Sequence, residues 1–110
     1  MTTADVVTAE VVTTGAGLRA EYRALYEEVS SKAEWLRLNL KPSTVAEWEL
    51  GNDFADLRTS FGRELKHLDG KGAGDKLALD DLELRSYYLD KLERVRMAAA
   101  RMSIFETTTT

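Results

Sequence analysis

The amino-acid sequence predicts an all-α fold, either a three-helix bundle or a helical hairpin on which a third long helix docks. Apolar residues recur mostly at steps of three and four over three long ranges, as they do along one face of an α-helix. The only proline, Pro42, separates the first range from the second, and a glycine-rich stretch at 69–78 separates the second from the third. The predicted helices span about 17–40, 44–68 and 80–106.

The two ends of the chain differ in composition from the single helical domain that we predict at 17–106. Residues 1–16 are rich in threonine and valine, and β-branched side chains favour extended backbone. Residues 107–110 are all threonine. We therefore expect an extended N-terminal arm before the helical domain and a polar tail after it.

The first helix is predicted from one apolar stripe and from the proline that follows it. Its stripe residues are Leu18, Tyr22, Leu25, Val29, Ala33, Leu36 and Leu40. The helix should stop before Pro42, because the residue that precedes a proline avoids helical backbone angles. Most charged residues in this range fall off the stripe, so we expect them on the solvent face.

The second helix is predicted to begin at Thr44, since Thr44 and Glu47 match a capping box. Its apolar residues are Val45, Trp48, Leu50, Phe54, Leu57, Phe61, Leu65 and Leu68. The connection of about three residues predicts that the first two helices are antiparallel neighbours. Gly51, Ala55 and Gly62 lie on one side of the helix, which either receives another helix backbone or is a tolerated imperfection.

The third helix is predicted from an N-cap at Asp80 and from an apolar seam with a spacing close to a coiled-coil repeat. The seam residues are Tyr88, Leu92, Val95, Ala99 and Met102. Acidic residues crowd the first half of the helix and arginines the second, which suits the helix dipole. We expect these charges to lie on a solvated face. The small residues between Met97 and Met102 favour close core packing or an apolar notch for a partner.

The composition argues against several classes of function. The net charge of −4 and the pI of about 5.0 are opposite to the basic excess of nucleic-acid-binding proteins, so we expect no nucleic-acid partner. The absence of cysteine excludes disulfides, thiolate nucleophiles and cysteine-ligated metals. The sequence contains no run of about 18 apolar residues, so we predict no membrane span. Its acidic start does not resemble a secretory signal. We expect a cytoplasmic protein, or a virion protein if a phage encodes it.

One pattern indicates chemistry, namely Glu64 and His67, which lie three residues apart and share a helix face. If the helices fold back at 41–43, Glu64 lies opposite Glu21, and these three residues match half of a ferritin-like di-iron site. His67 also suits the last turn of a helix through the dipole alone. A metal-binding half-bundle with oxidase-like chemistry is therefore the first alternative hypothesis.

The leading hypothesis is a non-enzymatic interaction or assembly protein, without cofactor or catalytic residues, that docks on a larger complex or forms a homo-oligomer. An adaptor or a structural component of a virion or mobile element fits this design. The candidate interface residues are aromatic and methionine side chains: Trp35, Tyr26, Tyr88, Met97, Met102 and Phe105. A second alternative is an acidic inhibitor or decoy that occupies the nucleic-acid groove of another protein.

Overall fold

The computed structural model describes residues 14–70 and 76–105 and confirms the all-α fold. The helices are α1 (Gly15–Asn39), α2 (Val45–Asp69) and α3 (Leu79–Arg101). Within the described ranges, the only β pairing is an isolated antiparallel bridge between Thr14 and Lys76. Most of the predicted arm, the middle of the glycine-rich stretch and the predicted tail lie outside the described residues.

The first two helices begin close to the predicted positions. The hydroxyl of Thr14 accepts a hydrogen bond from the backbone N–H of Gly17 at 3.2 Å, so α1 begins two residues before the predicted start. The hydroxyl of Thr44 accepts from the Glu47 N–H at 3.1 Å, which is the expected half of a capping box. The Glu47 carboxylate also accepts from the backbone N–H of Ser43 at 2.8 Å, one residue before the N-cap.

Both ends of α3 differ from the prediction. Ala78 is the N-cap in place of Asp80, and its backbone N–H donates to a carboxylate oxygen of Asp81 at 3.1 Å. The helix ends at Arg101 and not at 106, because Ser103 adopts a left-handed backbone with φ 58°. Ile104 N–H then donates to the carbonyl of the residue five positions earlier at 2.9 Å. This is a Schellman motif in which serine occupies the position that usually holds glycine.

The core is built from the predicted apolar stripes of all three helices. Its buried members are Leu18, Tyr22, Val29, Leu36, Leu50, Phe54, Leu57, Phe61, Leu68, Tyr88, Leu92, Val95 and Ala99. Two residues that we assigned to the α2 stripe, Val45 and Trp48, are instead 70% and 60% exposed. At about 100° per residue, Val45 lies about 180° and Trp48 about 120° around the helix from Phe54, so neither can face the core.

The helices are not equally close to one another. The backbones of the antiparallel helices α1 and α2 lie close together along much of their length, and the backbone of α3 lies further from both. At the open end of this hairpin, Arg19 donates a hydrogen bond to the carbonyl of Leu68, which ties the start of α1 to the end of α2. The hairpin is therefore the compact unit on which α3 docks.

Two arginines hold α3 alongside α1 in a parallel orientation. Arg85 donates to both carboxylate oxygens of Glu21, at 2.5 and 3.0 Å. Arg96 donates to both oxygens of Glu28, at 2.8 and 2.5 Å. These carboxylates and guanidinium groups were expected on a solvated face. They instead bridge two helices, since long side chains span the gap that α3 leaves.

An aromatic cluster fills the centre of the bundle. The rings of Tyr22, Phe61 and Tyr88 lie 5.4 to 6.2 Å apart, so that each of the three helices contributes one ring. Burial raises the pKa of the Tyr22 hydroxyl well above its usual range, and the nearby Glu64 carboxylate adds to the effect. Tyr22 is therefore a neutral core residue.

Candidate functional site

The three residues of the predicted metal site do not form a ligand set. The two oxygens of Glu21 already accept hydrogen bonds from Arg85, and Glu64 accepts a hydrogen bond from the Tyr88 hydroxyl at 3.4 Å. His67 is exposed in the last turn of α2. In the part of the chain that the structure describes, no group of three or more His, Cys, Asp or Glu side chains is placed to hold a metal ion.

The candidate interface residues fall into buried and exposed groups. Tyr88 is 5% exposed and belongs to the aromatic cluster, so it is a core residue and not part of a surface. Met102 is half-buried against the core. Met97, in contrast, is exposed on α3. Tyr26 is half-buried, with its ring edge 3.3 Å from the point where a Cβ on Gly62 would lie.

Trp35 and Phe105 contact each other at the C-terminal turn. Their ring centroids are 5.2 Å apart in an edge-to-face arrangement, and Phe105 makes a second such contact with Phe54 at 5.7 Å. The ammonium group of Lys32 lies 5.4 and 5.8 Å from the centroids of Phe105 and Phe54. The turn after α3 thus packs on α1 and α2 through edge-to-face ring contacts and a cation–π contact.

Exposed apolar side chains gather at the end of the hairpin where α1 joins α2. Leu38 lies in the last turn of α1, and Val45 and Trp48 lie in the first turns of α2. Sequence analysis missed these residues as a surface because it placed Val45 and Trp48 in the core. The angular positions of Val45 and Trp48 around the helix distinguish these two residues from the core stripe.

A groove runs between α1 and α2, and none of the described residues that line it belongs to α3. Its first section, which we call the tryptophan groove, is open and holds about 370 Å³. Its lining includes the apolar residues Leu40, Pro42, Trp48 and Ala55, the small residue Gly51 and the charged side chains of Glu34, Arg37, Glu47 and Arg58. Its second section, the basic groove, holds about 640 Å³ and is lined by Tyr26, Arg58, Thr59, Gly62, Arg63 and Lys66, with Leu65. Arg58 lines both sections, so the two sections lie next to each other at this side chain.

The small residues of α2 face this groove, but no helix backbone approaches them. A Cβ added at Gly51 would find no atom within 4 Å, and one added at Gly62 would meet only the Tyr26 ring. Of the two hypotheses for these glycines, the close passage of another helix backbone is therefore wrong as far as residues 14–70 and 76–105 are concerned. The glycines leave the groove shallow and open.

The charges along the groove differ between its two sections. In the tryptophan groove, Glu34 pairs with Arg37 at 2.6 Å, and the hydrogen bond from Arg37 lowers the pKa of Glu34. The Glu47 carboxylate caps α2, and the backbone N–H of Ser43 lowers its pKa. The described residues that line the basic groove, in contrast, include three cations and no carboxylate. This section is a local positive site on a chain with a net charge of −4.

Comparison with known proteins identifies no family for this fold and these grooves. No protein-family model, no curated protein and no solved structure matches the chain. Among the helices of the described ranges, none combines the length and the apolar character that crossing a membrane requires.

Proposed function

We propose that the protein is a non-enzymatic helical interaction protein that docks through the tryptophan groove on a protein partner or on another copy of itself. The observation that carries this proposal is the 60% exposed indole of Trp48 beside an open apolar groove. Tryptophan is enriched among the residues that dominate binding energy at protein interfaces. A large exposed aromatic ring next to a concave apolar surface is typical of such a site.

The area of Trp48 shows how much binding free energy it offers. A tryptophan side chain has an area of about 250 Å², so 60% exposure leaves about 150 Å² that a partner can cover. At about 25 cal/mol per Å², covering it contributes about 3–4 kcal/mol before the entropic cost of association. The exposed side chains of Leu38 and Val45 lie at the same end of the hairpin and extend the surface.

Three carboxylates of the protein have a structural role. Glu21 and Glu28 are each engaged by an arginine of α3, and Glu47 caps a helix. These carboxylates stabilise the fold through charge-assisted hydrogen bonds. The metal-binding alternative receives no support from Glu21, because a metal ion would have to displace Arg85 from it.

Site-specific photo-crosslinking in cells that naturally make the protein tests this proposal. A benzophenone side chain is placed at Trp48 or, as a control, at Glu27, which is exposed on α1 and does not line either groove. We expect a discrete adduct from position 48 and none from position 27. Excess wild-type protein should suppress the adduct, and an excess of the Trp48→Ala variant should not. Equal adducts at both positions, or none at position 48, would refute the proposal.

A further inference from the structure

We propose that copies of this protein associate head to tail, with the acidic outer face of α3 of one copy seated on the basic groove of the next. The inference rests on the proposed interaction function, but it uses surfaces other than the tryptophan groove. The occupant of the basic groove is thus a second copy of the chain, whose α3 face matches the groove in charge and in length.

The charge of the basic groove favours an acidic occupant. Arg58, Arg63 and Lys66 are exposed and line a concavity with no acidic residue among its described lining. Arg63 lies 3.9 Å from a carboxylate oxygen of Glu64, and its side chain remains 63% exposed there. The half-buried ring of Tyr26 and the side chain of Leu65 supply an apolar floor. An occupant with carboxylates beside apolar side chains would therefore match this section.

The outer face of α3 has this composition. Its exposed residues over the first twelve positions of the helix are Leu79, Asp80, Leu82, Glu83, Ser86, Tyr87 and Asp90. The only cation in this range, Arg85, turns inward to Glu21. Acidic and apolar side chains therefore share one face, at the three- and four-residue spacing that keeps them aligned along a helix.

The two surfaces are compatible in length and lie on different sides of the molecule. Twelve residues of α3 span about 17 Å, and the run from Arg58 to Lys66 on α2 spans about 12 Å. The outer face of α3 points away from the core, and no α3 residue of the described ranges lines the groove. Such a contact is heterologous, because different patches meet, and it produces chains or rings instead of a two-fold dimer.

The chain itself is favoured over other anionic occupants. A second copy brings carboxylates and apolar groups together at helical spacing. A contact of one helix width is below the roughly 1,200 Å² of stable interfaces, so we expect dissociation constants in the micromolar range or weaker.

Two charge-reversed variants test the proposal by sedimentation velocity. The groove variant is Arg58→Glu/Lys66→Glu, and the face variant is Glu83→Lys/Asp90→Lys. At about 50 mM salt, where screening is weak, the average mass of the wild type should rise with protein concentration above that of the 12.3 kDa chain. Each variant alone should stay monomeric. Their equimolar mixture should associate again, since the intact face of one variant fits the intact groove of the other and the two reversed surfaces are also opposite in charge.

The control carries the same change of net charge as the groove variant. It is Arg23→Glu/Lys41→Glu, which alters two exposed cations that do not line the basic groove, and it should associate as the wild type does. A wild type that stays monomeric at about 500 μM, a mixture that does not associate, or a control that also loses association would overturn the inference. A monomeric wild type that binds a polyglutamate peptide or an oligonucleotide through the groove would overturn it as well. None of these outcomes changes the crosslinking result at Trp48.

Discussion

The replacement of Glu28 by glutamine tests whether ion pairs hold α3 against α1. Glu28 accepts hydrogen bonds from Arg96 at 2.8 and 2.5 Å and from Lys32 at 3.2 Å. Burial raises the pKa of Glu28, but the hydrogen bonds and charges of Arg96 and Lys32 more than offset this, so the pKa lies below its ordinary value. Glutamine keeps the shape of the side chain and removes its charge.

The expected loss of unfolding free energy depends on how far solvent reaches the ion pair of Glu28 and Arg96. Hydrogen bonds that involve a charged group contribute about 1.5–3 kcal/mol when buried, and exposed ion pairs contribute about 0.2–1 kcal/mol. The side chains of Glu28 and Arg96 are 24% and 39% exposed, so solvent screens part of the interaction. We expect Glu28→Gln to lower the free energy of unfolding by about 1–2 kcal/mol at neutral pH. A double-mutant cycle with Arg96→Gln, measured by urea unfolding, should recover most of this loss as coupling.

The pH dependence has a definite sign. Because the pKa of Glu28 is lower in the folded state, its contribution is complete above the ordinary carboxyl pKa of 4.5 and is lost as the pH falls through the folded-state value. The difference in unfolding free energy between wild type and Glu28→Gln should therefore shrink below about pH 4.5.

Glu34→Gln is the matched control for this prediction. Glu34 pairs with Arg37 at 2.6 Å, but the two side chains are 49% and 67% exposed and belong to the same helix. Its replacement should change stability much less than that of Glu28. The reasoning is refuted if both replacements have equal effects, or if the difference between wild type and Glu28→Gln does not depend on pH.

Three further predictions concern the stability of single positions and are checked by urea or thermal unfolding. Gly51→Ala should stabilise α2 by up to about 1 kcal/mol, since its Cβ meets no atom, whereas Gly62→Ala should gain less because its Cβ must displace the Tyr26 ring; equal gains would contradict this. Ser103→Gly should stabilise the protein by about 0.5–1 kcal/mol, because it relieves a left-handed φ of 58°, and a loss of stability would refute that account. Ser30→Ala should stabilise by about 1 kcal/mol, since the Ser30 hydroxyl is buried without a hydrogen-bond partner among the described residues; a destabilised variant would show that it has one.

The sequence predicts the core well where its apolar residues step by three and four. The α1 stripe from Leu18 to Leu40 steps in this way, and its members are buried or half-buried against the core. The α2 stripe contains a step of two between Trp48 and Leu50, which turns the side chain by about 200°. The residues before this step, Val45 and Trp48, therefore point away from the core. A list of apolar residues therefore predicts burial only when the angle of each step is also taken into account.

The C-terminal end of α3 could not be predicted from the sequence, for a different reason. Helices commonly stop at glycine or before proline, and neither follows Met102. The chain turns instead at Ser103, and Ile104 and Phe105 then pack against the core. Tertiary contacts of Phe105 with Trp35 and Phe54 accompany a turn that local propensity does not favour.

The interhelical ion pairs could not be predicted without the register of the helices. Glu21 and Glu28 are seven residues apart, and their partners Arg85 and Arg96 are eleven residues apart. Each spacing keeps its two side chains on one face of their own helix, but it does not say which helix that face meets, and the pairs form only once core packing has set α1 and α3 side by side. The unknown register of the helices also explains why the alternative metal site was not formed as expected. Spacing alone placed Glu21 near Glu64, but it did not reveal that an arginine of α3 engages Glu21.

The ion pairs connect the stability of the fold with the proposed assembly. Because Glu21 draws Arg85 inward, the first half of α3 presents carboxylates and apolar groups outward without a cation among them. Salt should weaken both the docking of α3 on α1 and the head-to-tail contact, so salt alone cannot separate them. The variants can, because Glu28→Gln changes a pair within the chain and should leave assembly intact at neutral pH. The groove variant changes exposed residues and should abolish assembly without lowering the free energy of unfolding comparably.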